Sequence, residues 1–152
     1  MKRPPPVVVD TNVLVSGLIT ADDESPVCLI LDAMLAGRIR FLLSADLLDE
    51  YREVLLRPKI KKLHALDQGE IDKILTEVVA NGIWRETSGS EAAPDPGDSH
   101  LWRLLRTQPG SLLVTGDRLL LEQPPEFASV VSPATFVREF EEDIRSSVKR
   151  RP

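Results

Sequence analysis

The stretch Val7-Val8-Val9-Asp10-Thr11-Asn12-Val13-Leu14-Val15-Ser16 decides how the chain is read. Three consecutive valines behind Pro4-Pro5-Pro6 predict a short strand buried on both faces, with the proline run as its natural stop. Asp10 or Thr11 can then cap a helix over 11–19. An acid thus stands where a strand hands over to a helix.

The same alternation continues outward from this unit. Val27, Ile30, Leu31, Met34 and Leu35 fill the helical i, i+3, i+4, i+7, i+8 template between Pro26 and Gly37. Arg40 to Leu43 predicts a second buried strand, and Ser44 caps a helix carrying Leu47, Leu48, Tyr51, Val54 and Leu55 that stops before Pro58. Ile71, Ile74, Leu75, Val78 and Val79 form a further helix ended by Asn81-Gly82, with a third strand over Ile83 to Arg85. Residues 87–97 are a Ser-, Gly- and Pro-rich loop, and Asp98 to Arg106 a helix. Leu112 to Thr115 and Val130-Val131 are strands, and Phe136, Val137, Phe140 and Ile144 belong to one terminal helix. The pattern predicts an α/β fold with a small central parallel sheet flanked by helices. It occupies one domain over 1–140, followed by a charged tail over 141–152 that frays from Arg145.

Composition bounds the function. The chain has 152 residues, 42% hydrophobic and 28% charged, which fits one globular domain and excludes disorder. The single cysteine, Cys28, excludes an internal disulfide framework and is expected to be a small buried hydrophobe. His64 and His100 are too few for a zinc motif, and His100 is expected at the surface. Trp84, Trp102 and Tyr51 are expected in the core. No apolar run approaches the ~20 residues of a membrane span, so a soluble, cytoplasmic protein without membrane contact is expected. With a net charge of −5, a nucleic acid would have to meet a local basic patch.

The acids fall in an informative place. Ligands of open parallel sheets bind beyond the carboxyl ends of the strands. Asp10 follows the first strand, Asp117 follows the Leu112–Thr115 strand through Gly116, and Asp95 and Asp98 follow the third. The second strand leads into a helix bearing Asp46, Asp49, Glu50 and Glu53, among which spacing cannot choose. Each acid has a local reading as cap, turn or solvated helix residue. Carboxylates gathered at one spot repel one another, and a hard divalent cation such as Mg²⁺ or Mn²⁺, one ion or two, relieves that conflict. Such an ion also polarises phosphoryl oxygens. With no phosphate-binding glycine loop and no Ser or Cys nucleophile beside a base, metal-assisted phosphodiester hydrolysis is the chemistry that fits.

Four segments resemble the PIN-domain family: Val8-Val9-Asp10-Thr11-Asn12, the helix Ser44-Ala45-Asp46-Leu47-Leu48-Asp49-Glu50-Tyr51, the paired acids of Asp95-Pro96-Gly97-Asp98, and Leu113-Val114-Thr115-Gly116-Asp117. Their order and spacing agree over about 7–137, most closely with the bacterial branch described as toxin components of toxin–antitoxin systems. The resemblance implies a three-layer PIN-like sandwich and a Mg²⁺- or Mn²⁺-dependent endoribonuclease. It selects Glu50 and carries over Asp10, Glu50, Asp98 and Asp117 as catalytic and metal-binding acids, with Asp95 as a fifth. Ala93-Pro94 stand where the family often has Arg, and Ser99 where it has Asp or Asn. Asn12 and Thr115 are expected as polar supports of the acids, with Ser16 nearby.

The expected partner is an RNA substrate, reached through Lys59, Lys61 and Lys62 in a Lys-rich loop and through Arg118. The resemblance further implies an antitoxin protein and a homodimer. Two rivals stand beside the nuclease: a noncatalytic PIN-like module that binds RNA or protein, and a phosphatase with Asp10 as nucleophile. The second lacks its usual partner acid, because the position two residues on is Asn12.

Overall fold

The computed structural model describes residues 3–149, and of 146–149 only the backbone. Strand β1 (Val7–Val9) is buried along its whole length, as three β-branched residues without a polar neighbour require. It pairs in parallel with β4 (Leu112–Val114), and β4 with β5 (Ser129–Val131). On the other side of β1, the Val7–Phe41 bridge and a 2.9 Å bond from the Val7 N–H to the Arg40 carbonyl reach toward β2 (Leu42–Leu43). Strand β2 pairs in parallel with β3 (Ile83–Trp84). The spatial order is therefore β3-β2-β1-β4-β5.

This order positions the site. The chain steps outward from β1 to β3, then returns to lay β4 against the opposite side of β1. At such a reversal the connections leave in opposite directions and open a crevice beyond the carboxyl ends of the two adjacent strands. Here those strands are β1 and β4, and the first acids beyond them are Asp10 and Asp117.

Helices α1 (Thr11–Ile19), α2 (Pro26–Leu35), α3 (Ala45–Leu55), α5 (Gln68–Asn81) and α6 (Ser99–Arg106) flank the sheet. Ser25 and Ser44 cap α2 and α3 through their hydroxyls, and Asp67 and Glu70 form a capping box on α5. Gly37 closes α2 at φ +70°, a conformation glycine adopts without a Cβ penalty. Leu14, Ile30, Met34, Phe41, Leu47, Tyr51 and Phe136 fill the core. Tyr51 also spends its hydroxyl there, donating to the Val9 carbonyl at 2.5 Å, and so pins α3 to the last residue of β1.

Several sequence expectations are corrected. The Lys-rich loop is a helix, α4 (Pro58–His64), started by Pro58 at its first turn and ended by Ala65 at φ +58°. Buried His64 ties it down, its Nε2 lying 2.9 Å from the Leu55 carbonyl and its Nδ1 accepting from the Leu66 N–H. A short helix, α7 (Arg118–Glu122), follows Asp117. The single terminal helix is two, α8 (Pro133–Glu139) and α9 (Glu141–Lys149), broken where Phe140 leaves helical geometry. The segment from 141 is therefore helical, and Ile144 is fully buried in the core. Arg145 pairs with Glu24 and Glu141, while Arg150 and Arg151 lie outside the described residues. Cys28 is half-buried. Trp84 is 43% exposed because β3 is an edge strand, and its indole N–H donates to Glu86.

If α9 is part of the folded unit, Ile144→Ala will lower unfolding free energy by about 2–5 kcal/mol in urea titration. A change below ~0.5 kcal/mol, the scale of surface substitutions, would return the segment to a tail.

Candidate active site

Asp10, Glu50, Asp98 and Asp117 line one open groove of about 430 Å³, together with Thr11, Asn12, Val15, Ser16, Ile19, Val54 and Ile60. The four expected acids come from four different segments of the chain. Asp10 leaves β1, Asp117 leaves β4, Glu50 projects from α3, and Asp98 ends the 3₁₀ turn Pro96–Asp98 that leads into α6.

Asp10 is 4% exposed and is fixed by three donors. Its Oδ1 accepts from the Thr11 N–H at 2.8 Å, so the residue does cap α1. Its Oδ2 accepts from the Thr115 hydroxyl at 2.7 Å and the Asn12 amide at 3.0 Å. Cap and site are one arrangement. Hydrogen bonds to a charged group contribute about 1.5–3 kcal/mol each. Burial nonetheless prevails and, with the nearby Glu50 and Asp117 charges, lifts the Asp10 carboxyl above the ordinary aspartate range.

Asn12 and Thr115 both donate to Asp10. Asn12 Oδ1 accepts from the Gly116 N–H at 2.9 Å, tying the loop after β4 to the start of α1. A Cβ on Gly116 would stand 3.3 Å from that oxygen, so glycine keeps the approach open. The Thr115 hydroxyl donates to Asp10 and accepts the Asp117 N–H at 3.0 Å, linking the two acids that leave adjacent strands. Asp117 in turn caps α7 through the Leu119 N–H.

Glu50 is held at both oxygens. The Thr11 hydroxyl donates to Oε2, and His100 Nε2 lies 3.4 Å from Oε1. The His100 bond chiefly, helped by Thr11 and opposed by burial, holds the Glu50 carboxyl below the ordinary glutamate range. His100 is 8% exposed, a correction to the expected surface residue: it lies on the inward face of α6 with Leu101, Leu104 and Leu105. Thr11 and His100 are the polar residues that sequence reading missed. Thr11 was visible as the neighbour of Asp10, whereas His100 had no signal beyond standing two residues after Asp98.

Asp98 is the contrast. It makes no capping bond at the start of α6. Burial first, then the charges of Asp10, Asp95, Asp117 and Glu50, push its carboxyl up to about 6. Asp95 is exposed and accepts from the Gly97 N–H at 2.9 Å. It is a turn residue rather than a wall of the groove, and it reaches the site through its charge.

The donor set consists of carboxylate oxygens, which suits a hard divalent cation. Among the described residues, no three His, Cys, Asp or Glu side chains are grouped closely enough to hold an ion by themselves. A Mg²⁺ ion generally keeps several waters and takes one or two carboxylates directly rather than a closed protein cage. Lys59, Lys61 and Lys62 are exposed on α4, the helix that places Ile60 in the groove wall, and Arg118 is exposed beside Asp117. No helix among the described residues is long and apolar enough to cross a membrane.

The family model PIN_3, described as a PIN domain, matches residues 6–119. Comparison with curated proteins and with solved structures gave no match.

Asp98 gives the metal-free protein a defined pH response. Its folded carboxyl titrates near 6, above the unfolded value of 3.8. Its destabilising contribution is absent below the unfolded value, grows through the interval, and is complete above the folded one. Asp98→Asn should therefore raise unfolding free energy at pH 7.5 by about 1 kcal/mol, a figure reduced for its partial exposure. The gain should vanish near pH 4, as followed by thermal melts in chelator. Equal gains at both pH values would contradict the assignment.

Proposed function

Because the chain belongs to the PIN-domain family, whose members are generally nucleases, we propose that it is a metal-dependent endoribonuclease acting at the acidic groove. The observation that carries the proposal is the meeting of Asp10, Glu50, Asp98 and Asp117 in one groove at the strand-order reversal. A noncatalytic module has no need to tolerate the cost seen in the raised Asp10 and Asp98 carboxyls.

In this reading Asp10, Glu50, Asp98 and Asp117 would hold one or two Mg²⁺ or Mn²⁺ ions, directly or through bound water. A bound divalent cation supplies charge neutralisation at the scissile phosphate and lowers the pKa of coordinated water. The protein supplies the rest. Asn12 and Thr115 fix Asp10, and Thr115 keeps the Asp117 backbone in register with it. Lys59, Lys61 and Lys62, with Arg118, meet the RNA backbone and provide the local attraction that the net charge of −5 withholds. The aliphatic wall of Val15, Ile19, Val54 and Ile60 gives an unstacked base or ribose an apolar surface. A role as the toxin of a toxin–antitoxin pair, restrained by an antitoxin protein, belongs to the same proposal and rests on the four motifs named above.

Labelled single-stranded RNA should be cut with Mg²⁺ or Mn²⁺ and not with chelator. Asp10→Asn and Asp98→Asn should each reduce cleavage at least ~100-fold, more than loss of an outer partner costs, while thermal melts show a folded protein. Full activity in either variant would refute the assignment. RNA binding without turnover in either metal would favour the noncatalytic module.

The lysines are tested separately. Reversing Lys59, Lys61 and Lys62 to Glu should weaken RNA binding and flatten its salt dependence by about 2 units of log–log slope, three single-strand phosphate contacts' worth. An unchanged slope would remove α4 from the interface.

A further inference from the structure

We propose that His100 is a positioning residue of the groove: with the Thr11 hydroxyl, its imidazole clamps the Glu50 carboxylate at both oxygens and holds it in the groove. What the carboxylate is held for rests on the nuclease reading above; the clamp itself does not.

Glutamate on a helix has three side-chain torsions and ordinarily swings in solvent. Asp49 and Glu53, neighbours on α3, are exposed, and Glu53 pairs with Arg57 at the surface. Glu50 alone of these acids is caught from two sides by different elements, Thr11 of α1 and His100 of α6. A carboxylate accepts and cannot donate, so the imidazole proton facing it must sit on Nε2. Each Glu50 oxygen keeps a second lone-pair direction for a ligand in the groove.

The burial of His100 supports a role beyond packing. Its side chain is 10% exposed, and its Nδ1 is buried with no hydrogen-bond partner among the described residues. Buried polar groups are nearly always satisfied, and a leucine here would avoid the cost of that nitrogen. His64 shows the economical alternative in the same molecule, with both ring nitrogens engaged by backbone. At His100 one nitrogen has no partner among the described residues while the other faces Glu50, so the polar contact the ring does make is with that carboxylate. Through this contact α3 and α6 are coupled at the groove, close to the Arg103–Asp46 pair that joins the same two helices at 3.7 Å.

Two measurements on the full chain test the clamp. In metal-free protein, long-range ¹H–¹⁵N spectra should give His100 a protonated Nε2, and Glu50→Gln should move that resonance while leaving His64 unmoved. With Mn²⁺ alone, calorimetric affinity should fall about 10-fold in His100→Ala, the scale for loss of an outer-shell partner. It should recover to within about threefold in His100→Gln, whose amide can donate to Glu50. A neutral ring protonated only on Nδ1, a His100 resonance indifferent to Glu50→Gln, unchanged Mn²⁺ affinity in His100→Ala, or a Gln variant no better than Ala would each overturn the proposal. Wild type that binds no Mn²⁺ would remove the metal reading, and the ring signature would then decide the clamp by itself.

Discussion

The cost of keeping neighbouring carboxylates charged at a partly buried edge is the constraint around which the groove is organised. Burial first, and then the charges of nearby acids, lifts the Asp10 and Asp98 carboxyls. Nothing local would gather these acids. What does so is the burial of Val7–Val9 between strands on both sides, the docking of α3 on β1 through Tyr51, and the packing of Leu101, Leu104 and Leu105 beneath α6. The apolar core therefore carries an electrostatic load at its edge, and stability is spent where the ligand is expected to return it.

The Asp10-Thr11-Asn12 motif acquires a physical meaning from this load. Asp10 is an acid of the groove, Thr11 donates to Glu50, and Asn12 both donates to Asp10 and accepts from Gly116. Three consecutive residues at the first turn of one helix thus reach two other segments, α3 and the loop after β4. Together the three side chains set the surroundings of both Asp10 and Glu50, which is why the motif reads as a unit. The Thr115-Gly116-Asp117 loop is its complement, with a hydroxyl for Asp10 and a glycine that admits the Asn12 amide.

The sheet and the acids Asp10, Asp98 and Asp117 were legible in the sequence from periodicity and junctions, whereas Glu50 came only from the family resemblance, because spacing does not single it out among the four acids of α3. Buried valine and leucine runs have few other uses, and acids that follow them fall at one edge in a parallel sheet. The misreadings have a common cause. Helix α4 carries only Ile60 and Leu63 as apolar residues, too few for a periodic stripe, and is fixed instead by Pro58 and by backbone contacts of His64. Phe140 fits a continuous helical pattern, so the break between α8 and α9 is a backbone event invisible in hydropathy. Trp84 is apolar but lies on an edge strand, and strand order was not readable from its neighbours. His100 and Asp95 needed tertiary geometry: the first turns inward on α6, and the second is consumed by the turn it makes with Gly97.

The acids are unequal, and the inequality gives each a different part in the cation binding proposed above. Glu50 shares its charge with His100 and Thr11, so its ionised form is comfortable before any ligand arrives. Asp98 has no such partner among the described residues, is partly buried, and carries the charge of four neighbours. A cation removes most free energy from the carboxylate whose charge was costliest, so in the proposed site Asp98 contributes drive while Glu50 contributes direction. The same reasoning links binding to protons: below about pH 6 a proton must leave Asp98 before its charge is available to an ion, whereas Glu50 imposes no such requirement. A fully clamped set of four would be rigid and electrostatically quiet, and would gain little from a ligand. An unclamped set would scatter. The groove lies between these limits, with its fixed members tied to the sheet and to α3, and its strained member at the start of a helix that does not cap itself.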